Sequence, residues 1–168
     1  MRPLTITNVL LFISSVIAAP GATRQFTNKS QSFQRLANVS RNAIAHVYDT
    51  NWAGAVIETT GVTSVTGTFT VPSPSTPGEG VAWVGIDGNN CYTAILKTGV
   101  IWTRASGSTT TTYQGWYEWF PAGMSYWTTS SFPIKAGDVM TATVHATSLT
   151  SGTATLANKS TGKSISHS

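Results

Sequence analysis

Few residues in this chain have side chains that could carry out acid–base chemistry. Six carboxylates occur in 168 residues, and Glu118 and Asp87 stand out because each follows an aromatic or apolar segment. A carboxylate among rings loses hydration and can then act as a general acid or base. A hydrogen-bonded structural carboxylate is the alternative. Lys97 is the basic residue within the otherwise apolar central segments, which makes it the third candidate.

Aromatic residues surround these charged positions. Alternation along residues 113–120 puts Trp116, Glu118 and Phe120 on one face of a strand and Tyr117 and Trp119 on the other. Rings on both faces cannot all belong to one core, so one face is predicted to line a groove that holds a peptide or a sugar. A large aromatic core beneath the sheet is the alternative.

Motifs for several other chemistries are missing from the sequence. It contains no G-x-S-x-G elbow, phosphate-binding loop, G-x-G-x-x-G, H-E-x-x-H or paired cysteines. We therefore predict neither a metal nor a cofactor. A serine–histidine–aspartate triad would have to use His145, which alternation places on the solvent side of its strand.

Charge is distributed unevenly along the chain. The net charge is +4 and the pI about 9.5, yet residues 1–48 hold five bases and no acid. From Asp49 onward, five bases and six acids give 5 − 6 = −1. The basic character belongs to the N-terminal part, so we do not expect the folded part to bind nucleic acid.

The N-terminal part predicts an exported protein. Residues 1–18 are typical of a signal peptide, because Arg2 precedes a short apolar stretch and small residues near Ala18 supply a cleavage site. The stretch is too short for a membrane-spanning helix. Residues 19–49 are predicted to be a propeptide, with a disordered linker as the alternative. We expect a secreted, extracellular protein with no membrane attachment after signal removal.

Residues 50–168 carry short apolar and threonine-rich runs separated by glycine, proline, asparagine and serine. This spacing is typical of an all-β antiparallel sandwich or barrel. We expect Met140, Ala142 and Val144 to face its core. The predicted strands are 52–57, 62–71, 81–86, 92–97, 101–104, 111–120, 139–147 and 153–157.

Two features concern covalent modification. Cys91 is the one cysteine in the sequence, which in an exported protein indicates a free thiol or a partner elsewhere. Acceptor motifs for N-glycosylation begin at Asn28, Asn38 and Asn158.

Four segments, in order, carry a resemblance to a known family. They are N-W-A-G-A-V from Asn51, V-A-W-V-G-I-D-G from Val81, C-Y-T-A-I-L-K-T-G from Cys91 and W-Y-E-W-F-P from Trp116. From about Asn51 onward the chain closely resembles the fungal glutamic peptidases, the eqolisins. The resemblance implies a concanavalin-like sandwich of two antiparallel sheets, secretion, acid endopeptidase activity, and no metal or cofactor.

The resemblance also implies a catalytic pair. In the family, a glutamate takes a proton from water and gives it to the leaving amine, while a glutamine orients the water and donates to the oxyanion. The glutamine belongs to an I-L-Q-T-G segment, where this sequence has Lys97, and the glutamate to a later A-E-(F/W)-I-x-E segment that the 168 residues lack. We therefore expect a C-terminally truncated member with an incomplete sandwich and little or no activity. In relatives, the cysteine matching Cys91 is expected to pair further along the chain.

Two functions are compatible with these residues. The first is a glutamic-type endopeptidase by descent, monomeric if folded, acting on a peptide or protein. Its substrate would lie against Trp52, Trp83, Trp116 and Glu118, with Asp87 shaping the cleft. The second is a non-catalytic, lectin-like module that binds a peptide or a glycan in the same groove.

Overall fold

The structure is a computed structural model that describes residues 8–15, 54–58, 60–89 and 91–168. The predicted propeptide 19–49, the glycosylation motifs at Asn28 and Asn38, and Trp52 lie outside the described residues. The described part of the chain contains no helix long and apolar enough to cross a bilayer.

Ten β-strands make up the regular structure of the described residues, as expected from a chain rich in threonine, valine and aromatic residues. They form two antiparallel sheets, one with the order β2-β1-β4-β5-β6-β7 and one with the order β10-β9-β8-β3. This confirms the predicted all-β antiparallel sandwich. The strands are β1 (Asn8–Ser15), β2 (Gly54–Glu58), β3 (Ser64–Thr70), β4 (Gly78–Asp87), β5 (Ile95–Arg104), β6 (Thr111–Phe120), β7 (Met124–Tyr126), β8 (Val139–Ala146), β9 (Gly152–Asn158) and β10 (Lys163–His167).

The core lies between the two sheets. Met140, Ala142 and Val144 on β8 are fully buried, whereas His145 is exposed, so the predicted alternation of β8 is confirmed. Alternate residues of the larger sheet, such as Val84 and Val100, pack against them. Because successive side chains of a strand point to opposite faces, the remaining residues of β4, β5 and β6 lie on the outer face of this sheet.

Strand β5 runs unbroken from Ile95 to Arg104, where the sequence predicted two strands, 92–97 and 101–104. The predicted interruption at residues 98–100, which include Gly99, is wrong. A side chain at Gly99 would collide with the carbonyl of Ala82 and with Trp83 on β4. The glycine therefore allows a close approach between two strands and does not end one.

Strands β7 and β10 were not predicted. β7 has three residues, and β10 reads K-S-I-S-H with Ile165 as its one apolar residue. Neither segment has enough alternation to distinguish it from a loop.

Strand β1 falls within the predicted signal peptide. It lies between β2 and β4 and pairs antiparallel with both. The assignment of residues 1–18 as a signal peptide stays a prediction.

Candidate active site

Two neighbouring strands bring the main candidate residues together on the outer face of the larger sheet. Lys97 on β5 pairs in register with Glu118 on β6. Two residues further along β5, Gly99 pairs with Trp116 on one side and with Trp83 of β4 on the other. Period-two alternation therefore places these side chains on one face, opposite to the core.

Lys97 and Glu118 form a salt bridge across the strands. Lys97 Nζ lies 3.0 Å from Glu118 Oε2, and the two side chains are only 17% and 8% exposed. A charge this far from water is tolerated when an opposite charge contacts it. The pairing explains how β5 accommodates a lysine among its apolar residues.

Two tryptophan rings flank the ammonium. Lys97 Nζ lies 5.6 Å from the centre of the Trp83 ring and 5.9 Å from that of Trp116, within the range of cation–π attraction. Trp83 is half-buried, whereas Trp116 is 1% exposed. Within the described part of the chain, the buried Nε1 of Trp116 has no hydrogen-bond partner. Trp116 therefore supports the ion pair from within the protein and does not offer its ring to solvent.

Gly85 provides space beside the ion pair. It pairs with Lys97 across β4 and β5, and a Cβ at this position would lie 2.9 Å from the Trp83 ring and 3.2 Å from the Cβ of Lys97. The glycine lets two large side chains occupy neighbouring places on the face. Our sequence reasoning missed this residue, although its place two residues after Trp83 was a usable signal.

Asp87 lies at the rim of this face. It ends β4 with a φ of 67°, and Gly88 N donates to the Cys91 carbonyl at 3.0 Å to close the turn. Positive φ is uncommon outside glycine, and aspartate is among the residues that tolerate it best. The register puts Asp87 opposite Ile95, two residues from the Lys97–Gly85 pair. Cys91 is half-buried, with its Sγ 3.6 Å from Thr93 Oγ1.

Tyr126 is a further member of the face that the sequence did not single out. It lies on β7, pairs with Trp116 in register and is 46% exposed. Partial burial raises the pKa of the Tyr126 phenol, and the negative charges of Glu79 and Glu118 raise it further. Tyr126 is therefore a neutral hydrogen-bond donor near the ion pair.

Two open pockets lie away from this face. One, of about 340 Å³, is bounded by Trp119, Gly152 and Thr153, and another, of about 420 Å³, by Trp119, Pro121 and Leu149. Neither includes Lys97, so the candidate site is defined by its side chains and not by a cavity. Within the described residues, no group of three histidine, cysteine, aspartate or glutamate side chains is arranged to hold a metal ion.

Known proteins match both the sequence and the fold. The family model of the Peptidase A4 family matches residues 50–168. Aspergillopepsin-2 of Aspergillus niger is 43% identical over 142 residues, which cover 71% of this chain and 49% of that protein. Scytalidopepsin B of Scytalidium lignicola is 38% identical over 169 residues, which cover 96% of this chain and 62% of that protein.

Solved structures agree with these relatives. The crystal structure of scytalido-glutamic peptidase with a transition-state analogue inhibitor has a TM-score of 0.54 at 43% identity, covering 62% of this chain and 48% of that chain. A second crystal structure, with a peptide-based transition-state analogue, has a TM-score of 0.52 at 44% identity, with the same coverage of both chains. The chain thus spans 49% and 62% of the lengths of the two curated relatives. With residues 50–168 matched and the fold shared, the chain belongs to the Peptidase A4 family, the glutamic peptidases known as eqolisins.

Proposed function

We propose that this chain is a glutamic-type acid endopeptidase domain by descent, one that binds peptides on the outer face of its larger sheet. With Lys97 in place, it hydrolyses them slowly or not at all. The observation that carries the proposal is the 3.0 Å ion pair of Lys97 and Glu118, flanked by Trp83 and Trp116. The crystal structure of scytalido-glutamic peptidase with a peptide-based analogue supports a peptide as the ligand.

Peptide hydrolysis by water requires two kinds of help. A base must take a proton from the water while its oxygen bonds to the carbonyl carbon, and a donor must stabilise the resulting oxyanion. The same proton must then reach the amine as the C–N bond breaks. The site must therefore contain a proton acceptor that becomes a donor.

Lys97 can supply only the oxyanion half of this chemistry. Its ammonium has three N–H donors and no acceptor, so it cannot hold the proton of an attacking water. The ammonium is also in contact with Glu118 Oε2, and the Glu118 side chain is only 8% exposed. An ion pair held this tightly is poorly placed to activate water, which supports weak or absent turnover.

Peptide binding on this face requires exposed rings and hydrogen-bond donors, but not the proton acceptor that hydrolysis requires. Trp83 is half-buried and Tyr126 is 46% exposed, so both rings can contact a ligand. The neutral phenol of Tyr126 and the ammonium of Lys97 can donate to ligand carbonyl groups. Asp87 lies at the rim, where it can shape the cleft, and Trp116 supports Lys97 from within.

The same ion pair also favours a second function, a non-catalytic, lectin-like binding module. Where the family's glutamine is expected, this chain has Lys97, whose charge is neutralised by Glu118. In this arrangement the residue at position 97 stabilises the fold and does not take part in hydrolysis. Such a module would hold a peptide or a glycan against Trp83 and release it unchanged. Binding of an oligosaccharide with an affinity that Trp83→Ala reduces would favour the glycan-binding form.

The proposal also covers the location of the protein and its binding partners. We infer a secreted, monomeric protein with a signal peptide in residues 1–18 and a propeptide in residues 19–49, acting on peptides or proteins. The charge of −1 from Asp49 onward supports the absence of a nucleic-acid partner.

The decisive experiment compares four chains. Two chains are prepared, the 168-residue chain and the same chain extended by an A-E-(F/W)-I-x-E segment, the kind that the resemblance to the family implies. Each is made with Lys97 and with Lys97→Gln. Acid hydrolysis of an unfolded protein substrate, in the presence of pepstatin, is followed by mass spectrometry. We expect hydrolysis from the extended Lys97→Gln chain and at least about a hundredfold less from the other three, as when a catalytic group is removed. Equal rates for Lys97 and Lys97→Gln in the extended pair would overturn the role given to position 97.

A further inference from the structure

Strand β1 occupies an inner position of the larger sheet although its sequence is typical of a removable leader. Residues 8–12 pair with residues 58–54 of β2, and residues 9–15 pair with residues 86–80 of β4. An inner strand satisfies backbone donors and acceptors along both of its edges. Strand β1 is therefore held by backbone hydrogen bonds along two edges, whereas a strand added at the edge of a sheet is held along one.

The neighbours of β1 depend on it for their pairing. Within the described residues, β2 joins the sheet only through β1, and β4 meets β5 on its other side. Without β1, the facing edges of β2 and β4 would lie about 9.6 Å apart, twice the spacing of neighbouring strands. Each edge would carry a row of unpaired N–H and C=O groups, which readily accept another strand.

We propose that the gap between β2 and β4 is a binding slot for an extended apolar segment, and that Asn8–Ser15 is its occupant in the uncleaved chain. The segment reads N-V-L-L-F-I-S-S and carries no charge. The strands beside it, G-A-V-I-E and G-E-G-V-A-W-V-G-I-D, are apolar along most of their paired length. Backbone pairing of this kind supplies affinity, and the apolar surroundings select the sequence.

The slot lies beside the candidate active site. Leu10 pairs with Gly85, which pairs with Lys97, and Phe12 pairs with Trp83. The occupant is therefore two strand spacings, about 9.6 Å, from the strand that carries Lys97. Loss of the leader would turn β4, the strand that carries Trp83, into an edge strand. Occupancy of the slot therefore controls one border of the site. This inference does not depend on whether the chain hydrolyses peptides.

The first measurement is hydrogen exchange on the full chain. The amides of residues 9–15 that pair with β2 or β4 should exchange at least about tenfold more slowly than the same amides in a free peptide, since exchange requires local opening. Exchange of these amides at the free-peptide rate, while β5 and β6 stay protected, would overturn the proposal.

The second measurement uses a labelled peptide with the sequence of residues 8–15 and a lysine tail for solubility. Leu11→Pro in the full chain removes one ladder donor and disables the internal strand. Leu4→Pro, which leaves the sequence of residues 8–15 unchanged, is the matched control. We expect the peptide to bind the Leu11→Pro chain at least about tenfold more tightly than the parent or the Leu4→Pro chain. A peptide that itself carries Leu11→Pro should not bind.

Equal affinity of the peptide for all three chains, or no binding to a Leu11→Pro chain whose β5 and β6 amides remain protected, would contradict the slot. If the Leu11→Pro chain loses protection throughout, the exchange of residues 9–15 in the parent decides the question.

Discussion

At the scale of single residues, the Lys97–Glu118 pair links stability to the chemistry of the site. We expect Lys97→Met to destabilise the protein by about 3–5 kcal/mol, because it leaves the Glu118 carboxylate buried without a counter-charge. Lys97→Gln should cost about half as much, because its amide can still donate a hydrogen bond. Urea unfolding of the two variants and the parent measures the difference.

The matched control for this prediction is Lys163→Met on the exposed strand β10, which should change stability by less than about 0.5 kcal/mol. If Lys97→Met is as stable as the parent, the ion pair is not the element that holds the two side chains in place.

Tyr126 gives the face a dependence on alkaline pH. Burial, helped by Glu79 and Glu118, raises the pKa of Tyr126 above its ordinary value of 10.0. The unfolded chain therefore ionises this tyrosine first, so the associated stability is fully present below pH 10.0 and declines as the pH rises through the folded-state pKa. We expect Tyr126→Phe to flatten this alkaline decline in thermal unfolding experiments.

A spectrophotometric titration provides the control for Tyr126. The difference between the parent and Tyr126→Phe isolates one phenol, and Glu118→Gln should move its titration to lower pH by removing a nearby negative charge. A titration that Glu118→Gln leaves unchanged would contradict the electrostatic coupling between these residues.

Part of this residue-level arrangement could be predicted. Period-two alternation and the resemblance singled out Lys97, Trp83, Trp116 and Glu118. The sequence did not predict that Lys97 and Glu118 touch, because that contact depends on the register between β5 and β6. The sequence also did not predict that Trp116 is buried. Alternation predicts on which side of the sheet a side chain lies, but not whether other residues cover that side chain.

At the scale of strands and turns, Asn158 connects the end of β9 to the turn before β10. Its Nδ2 donates to Asp138 Oδ2 at 2.7 Å, and its Oδ1 accepts from the backbone N–H groups of Ser160 and Thr161. The residue is 1% exposed. The amide of the predicted glycosylation motif is thus inaccessible in the folded protein.

We expect two results at this position. Asn158→Ala should destabilise the protein by about 2–3 kcal/mol, because it leaves Asp138 short of a buried donor and frees two turn N–H groups. Ser160→Ala abolishes the glycosylation motif and keeps the Asn158 side chain. In a secreted preparation, the intact masses of the parent and Ser160→Ala should differ only by the substitution, and a glycan-sized difference would contradict the buried role of Asn158.

The strands were predicted correctly where polar and apolar residues alternate strongly. The prediction failed where a close approach between strands or pairing with a neighbouring strand determines the structure. β6 was predicted with the bounds that the structure shows, and the inward face of β8 was correct. β5 was divided in error because Gly99 serves a close approach that only a three-dimensional neighbour reveals. β7 and β10 are stabilised by their partners, and their own residues carry little strand signal.

At the scale of the whole molecule, the sandwich and its charge distribution were predictable, but the placement of β1 was not. Hydrophobicity alone cannot distinguish an apolar leader from an inner strand, because both require an uncharged run of similar length. The family and the sandwich agree with the resemblance, whereas the order of strands in each sheet came only from the structure. The outer face of the larger sheet carries the segments that resemble the family, and the register between β5 and β6 brings Lys97 and Glu118 together there.

We propose that this face binds peptide and that Lys97 suppresses hydrolysis. The most direct test is a calorimetric titration of the full chain with a substrate peptide at acidic pH, with mass spectrometry of the same sample afterwards. We predict that the peptide binds, that Trp83→Ala weakens this binding by about 1–3 kcal/mol, as loss of an aromatic contact would, and that the peptide is recovered intact. Cleavage by the parent at a rate that Lys97→Gln does not change, or binding that Trp83→Ala leaves untouched, would contradict it.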